Sequence, residues 1–90
     1  MFPSESLLIR GFVYRYLRAL RRDRGGAECE ALAAEATASL SIGGIHKLLA
    51  KLRNERDRCR EAGRDSLADS LTTAIRTLDS RAQILNDLLH

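Results

Sequence analysis

One glycine constrains the fold of this chain more than any other residue. Gly63 separates two long runs of helical periodicity, from about residue 42 to 62 and from about 66 to 89. At 1.5 Å per residue each run makes a rod of roughly 30–36 Å. A link of only a few residues forces such rods to lie antiparallel. Ser41 has the chemistry of an N-cap for the first rod, and Gly63 that of its C-terminal cap. Asp65 or Ser66 caps the second, where Ser66-Leu67-Ala68-Asp69 has capping-box spacing. The second rod lines up Leu67, Leu71, Ala74, Ile75, Leu78, Ala82, Leu85, Leu88 and Leu89 on one stripe. The first is uneven: Ile42, Ile45, Leu48, Leu49 and Leu52 are dense above, while Glu55, Arg56, Cys59 and Ala62 hold the same register below. Folding at Gly63 therefore sets Leu71 and Ile75 against a polar half. These two side chains call for a further apolar surface, either the N-terminal helix or a second molecule.

Ahead of the hairpin, residues from about Ser4 to Arg22 repeat the helical pattern. Ile9, Phe12, Val13, Tyr16, Leu17 and Leu20 share a face, with Ser4 as N-cap and Glu5 in the first turn. Asp23-Arg24-Gly25-Gly26 ends that helix, since paired glycines are costly to hold helical. The segment from about Ala27 to Ser39 is short and Ala-rich, with Leu32 as its main anchor, and leans on its neighbours. Trp is absent and aromatic residues are 4% of the chain, too few for a strand-built sandwich or barrel. The expectation is a single all-α domain spanning residues 1–90. It is a small helical bundle built on an antiparallel C-terminal hairpin (about 42–62 and 66–89) with an N-terminal amphipathic helix (about 4–22).

Charge is blocked along this chain rather than mixed. Residues 1–24 carry +4, 25–45 carry −3, 46–66 carry +3 and 67–90 carry −1. On the first helix Arg10, Arg15, Arg18, Arg21 and Arg22 project away from the apolar stripe, and Tyr14 falls inside that basic face. An exposed tyrosine flanked by arginines has the composition of an interaction surface. The run from Arg53 to Arg64 alternates in sign, with Arg53 and Asp57 at i,i+4 spacing, and reads as a self-neutralising face.

No catalytic, metal or cofactor constellation is legible. His46 and His90 are the two histidines, and neither has a triad-like partner nearby. Cys29 and Cys59 stand thirty positions apart without a C-x-x-C, the pattern of buried thiols in a reducing compartment such as the bacterial cytoplasm or the mitochondrial matrix. Gly43-Gly44 at a helix start matches no phosphate loop, and close helix packing explains it better. Glu5 and Arg10 break the pattern of a secretory signal, although the Arg-rich amphipathic start resembles organelle-targeting segments. No apolar run has the length of a membrane span, so stable membrane insertion is not expected.

Two resemblances bear on function. Residues 34–49 partly resemble a helix-turn-helix, with Leu40-Ser41 at the turn and Ile45, Leu48 and Leu49 where a recognition helix packs inward. In that reading His46, Lys47, Lys51 and Arg53 face nucleic acid. Separately, Phe12-Val13-Tyr14-Arg15-Tyr16-Leu17-Arg18-Ala19-Leu20-Arg21-Arg22 resembles the opening helix of the mitochondrial LYR-motif family, its motif falling on Val13-Tyr14-Arg15. That resemblance implies a small non-enzymatic assembly factor or accessory subunit. Its basic surface would dock an acidic acyl carrier protein, and a groove between its helices would accept the acyl chain.

The functional expectation is thus a non-enzymatic helical module that binds an acidic protein partner or a second copy of itself. Its contact residues are Arg10, Tyr14, Arg15, Arg18, Arg21, Arg22, Leu71 and Ile75. The rival is a basic DNA-binding regulator acting through His46, Lys47, Lys51 and Arg53. Docking of the first helix on anionic membranes is a third reading, disfavoured because Ile9, Phe12 and Leu20 are needed inside.

Overall fold

In a computed structural model the chain forms four helices: α1 (Glu5–Asp23), α2 (Gly26–Ser39), α3 (Ile42–Glu61) and α4 (Asp65–Leu89). The structure describes residues 4–23 and 26–89, with the backbone alone for Asp23 and Leu89. Arg24 and Gly25 of the expected break, the Leu89 side chain and the terminal His90 lie outside the described residues. No strand occurs among the described residues.

The turn at Gly63 is a complete Schellman closure. Gly63 adopts a φ of 76°, a left-handed conformation that favours glycine. Its N–H donates to the Arg60 carbonyl at 3.1 Å, and the Arg64 N–H donates to the Cys59 carbonyl at 2.7 Å. The Arg64 carbonyl already accepts from the Ala68 N–H at 3.0 Å. Helix α4 therefore opens at Asp65, one residue ahead of the expected Ser66 capping box. Asp65 sits in the first turn, where the helix dipole favours its charge. At the other end of α3, the Ser41 hydroxyl accepts from the Gly44 N–H at 3.0 Å, the N-cap that its position implies.

Each helix packs closely on two others. α1 lies against α2 and α3, and α4 against α2 and α3, so the axes form a square with α1 diagonal to α4. The hairpin α3–α4 is the most extensive of these contacts. Two ion pairs tie α2 into place, Arg15–Glu35 from α1 and Arg81–Glu30 from α4.

One core fills the square. Ile9, Phe12, Tyr16 and Leu20 from α1 meet Cys29, Leu32, Ala33 and Ala36 from α2, Ile45, Leu48, Leu49, Leu52 and Cys59 from α3, and Ala68, Leu71, Ala74, Ile75, Leu78 and Ala82 from α4. This overturns the assignment of Leu71 and Ile75 to a partner surface, since they are 0% and 5% exposed within the single chain. The core that encloses them draws on all four helices, including Cys59 in the otherwise polar lower half of α3. Leu88, placed on that stripe by spacing, is instead 78% exposed. Leu85 is partly buried against the core.

Candidate functional site

Glu5 sets α1 alongside α3. Its carboxylate accepts from the Ser41 hydroxyl at 2.7 Å and from the Ser41 N–H at 3.5 Å, at the N-terminus of α3. There the positive end of the helix dipole stabilises it. Gly44 is buried beneath, and a Cβ at that position would overlap the Glu5 carboxylate. The close packing expected of the glycine pair is therefore made by Gly44. Gly43 is open, its nearest neighbour being the Ser41 Oγ at 3.9 Å.

With their N-termini joined, α1 and α3 run in the same direction and leave a groove of about 840 Å³ between them. Spacing decides who lines it. On α1, Ser6, Ile9, Arg10, Val13, Tyr14 and Leu17 recur at three- and four-residue steps; on α3, Lys47, Ala50, Lys51, Asn54, Glu55 and Arg58 do the same. The apolar members Ile9, Val13, Leu17 and Ala50 give a floor, and the charged members give the rim. Four of the five charged side chains are cations, the exception being Glu55, which faces Arg58 at 3.5 Å. Arg10, Lys47 and Lys51 pair with no acid among the described residues. A second depression of about 490 Å³ shares Tyr14 and Leu17 and extends the basic rim to Arg18, Arg21 and Arg22. Tyr14 stands at the junction, 64% exposed.

The structure thus merges residues that two rival readings kept apart. Arg10 and Tyr14, expected to meet a protein, share one groove with Lys47 and Lys51, expected to meet nucleic acid. Arg53 and His46 are exposed on α3 but outside that groove. Arg58 belongs to it as well, following Lys51 by seven positions on one helix face. Its place in the sign-alternating run concealed it. That run does neutralise itself in part, through Arg58–Glu55 and Arg56–Asp57, whereas the expected Arg53–Asp57 pair is not made.

Arg15, expected on the contact surface, is about half exposed and is also engaged within the chain. Its guanidinium binds the Glu35 carboxylate with both arms, at 3.0 and 2.5 Å, and lies 5.4 Å from the Phe12 ring centroid. The hydrogen bonds from Arg15 hold the Glu35 carboxyl below its ordinary value, and the same contact raises Arg15. Arg15 is turned towards α2. Glu35 is the acid by which α2 pairs with α1.

Elsewhere the chemistry is sparse. Cys29 and Cys59 are buried and form no disulfide. The Tyr16 hydroxyl is buried with no hydrogen-bond partner, and burial pushes its pKa above the ordinary 10.0. Among the described residues no three His, Cys, Asp or Glu side chains gather as metal ligands, and no helix is long and apolar enough to cross a membrane. Comparison with known proteins gives no match: no family model, no curated protein and no solved structure matches this chain.

Proposed function

We propose that this chain is a non-enzymatic protein-binding module, an adaptor, assembly factor or small accessory subunit, whose α1–α3 groove receives an acidic segment of a partner. One observation carries the reading. Arg10, Lys47, Lys51 and Arg58 ring an apolar floor with a single acid among them, and Tyr14 stands exposed at its edge. Cations around an apolar floor, with Arg10, Lys47 and Lys51 unpaired among the described residues, favour an occupant that brings carboxylates and apolar side chains together, and they steer its approach. Exposed Tyr and Arg are the residue types that dominate binding energy at interfaces. An LYR-like assembly factor is one form of this proposal. In that form Tyr14 and Arg10, not the Glu35-bound Arg15, meet the carrier protein. Two buried thiols without a disulfide suit a reducing compartment.

DNA binding is the second reading, favoured by the exposure of His46, Lys47, Lys51 and Arg53 on α3. Against it, the Glu5 carboxylate sits at the α3 N-terminus, the end that a recognition helix turns to the bases. The test titrates the protein with a labelled Glu/Leu amphipathic peptide and, separately, with a labelled short duplex. The proposal expects peptide binding that weakens by about tenfold or more on double reversal Lys47→Glu/Lys51→Glu. Duplex binding with steep salt dependence and no peptide binding would hand the site to nucleic acid. Binding of neither probe overturns both readings.

A further inference from the structure

The chain carries, on another face, a surface complementary to its own groove. Ile84 and Leu88 lie four residues apart near the end of α4, 60% and 78% exposed. The core-facing stripe of α4 is already filled by Leu71, Ile75, Leu78 and Ala82, so these two are surplus to the fold. Asp87 lies between them in sequence and is exposed. Among the described residues the last turn of α4 carries no basic side chain to offset the negative end of the helix dipole. Arg81, one turn earlier, is held by Glu30 of α2 at 3.5 Å. The end of α4 is therefore a convex ridge, apolar at its crest and negative at its flank. The α1–α3 groove is concave, apolar at its floor and positive at its rim.

We propose that the groove of one copy seats the Ile84–Leu88 ridge of a second copy, so that chains join head to tail. The inference rests on the groove being a site for acidic, apolar segments, and it names a second copy of this chain as an occupant. Placement decides the symmetry. Ile84 and Leu88 follow Arg81 by three and seven residues, on the face of α4 that turns to α2. The groove opens between α1 and α3, away from that face. A chain cannot fill its own groove, and a single contact between two different patches is heterologous, adding copies head to tail into a ring where the rotation closes and an open chain where it does not. An amphipathic helix laid in an apolar groove is a recurrent mode of recognition.

Sedimentation velocity on the whole chain tests this. Average mass is expected to rise with protein concentration at low salt and to fall back towards the 10.0 kDa of one chain as salt screens the rim. Lys47→Glu/Lys51→Glu removes the groove, and Ile84→Lys/Leu88→Lys removes the ridge at exposed positions; each variant alone is expected to stay monomeric. Mixed, they retain one intact groove and one intact ridge between them, and should form a one-to-one dimer that grows no further. Should either double variant fail to fold, the concentration dependence of the native chain still decides. A native chain that stays monomeric at all concentrations overturns the inference, as does a mixture that stays monomeric. If the native chain is monomeric yet binds the acidic peptide, only the self-association fails. If it is monomeric and does not bind the peptide, the groove reading fails with it.

Discussion

The Glu5 carboxylate occupies the space that a side chain at Gly44 would need. Thirty-nine residues apart, the two meet because Glu5 caps α3 from outside through Ser41, and a hydrogen at Gly44 lets it approach. Replacing Gly44 by Ala gains helix propensity worth up to about 1 kcal/mol but displaces a carboxylate hydrogen-bonded to a neighbouring helix. The expected net effect of Gly44→Ala alone is close to zero or destabilising. In a Glu5→Ala background the same change should stabilise by about 1 kcal/mol. Denaturant unfolding of the four proteins in this cycle measures the coupling, and additive effects would remove the Glu5–Gly44 relationship.

Burial also predicts how two leucines of the α4 rod, one enclosed and one exposed, respond to substitution. Leu71→Ala should cost about 2–5 kcal/mol, because Leu71 is fully enclosed by the core. Leu88→Ser should change stability by less than about 0.5 kcal/mol, because that side chain is already in water. Urea midpoints at constant slope check both. Equal losses would mean that the end of α4 is covered within the monomer.

The Tyr16 phenol is enclosed without a partner, so ionising it inside the bundle is unfavourable. With the native value raised, its contribution to stability is fully present below the ordinary 10.0 and fades as pH climbs above it. Changing Tyr14 to Phe leaves Tyr16 as the sole tyrosine. In that protein the near-ultraviolet phenolate signal should appear only as the chain unfolds in alkali. Tyr16→Phe should be neutral or stabilising by about 1 kcal/mol, since it removes an unsatisfied hydroxyl. A phenolate signal from a still-folded chain would contradict the burial.

Acid acts through another group. Glu35 has its carboxyl held low by Arg15, so the pair stabilises the fold fully above the ordinary glutamate value of 4.5 and loses that effect as pH falls below it. Both side chains are about half exposed, so salt screens the pair and its effect is modest. Glu35→Gln should lower the melting temperature near neutral pH and have little effect in strong acid, where native Glu35 is itself protonated. A melting-temperature difference that does not narrow on acidification would show that the pairing does not fasten α2.

Local features were legible in the sequence and long-range ones were not. Gly63, Ser41 and the periodicity of both rods announce the hairpin, because caps and stripes are set by residues within a few positions of one another. The seating of α1 and α2 brings Glu5 to Ser41 and Arg15 to Glu35, partners thirty-six and twenty positions apart. No spacing rule reports such pairs. Six of the fourteen residues of α2 are Ala, so its face gives little sign that it would close one side of the core. Half of the groove lies on each of two helices, so spacing along either helix alone does not join Arg10 to Lys47.

The most direct test of the central claim is an amide chemical-shift map of the folded chain titrated with an acidic amphipathic peptide. Shifts should concentrate on Arg10, Val13, Tyr14, Lys47, Lys51 and Arg58, leaving Cys29, Glu30 and Thr73 on the opposite side of the bundle unmoved. Shifts centred on that opposite side, or none at saturating peptide, would contradict it.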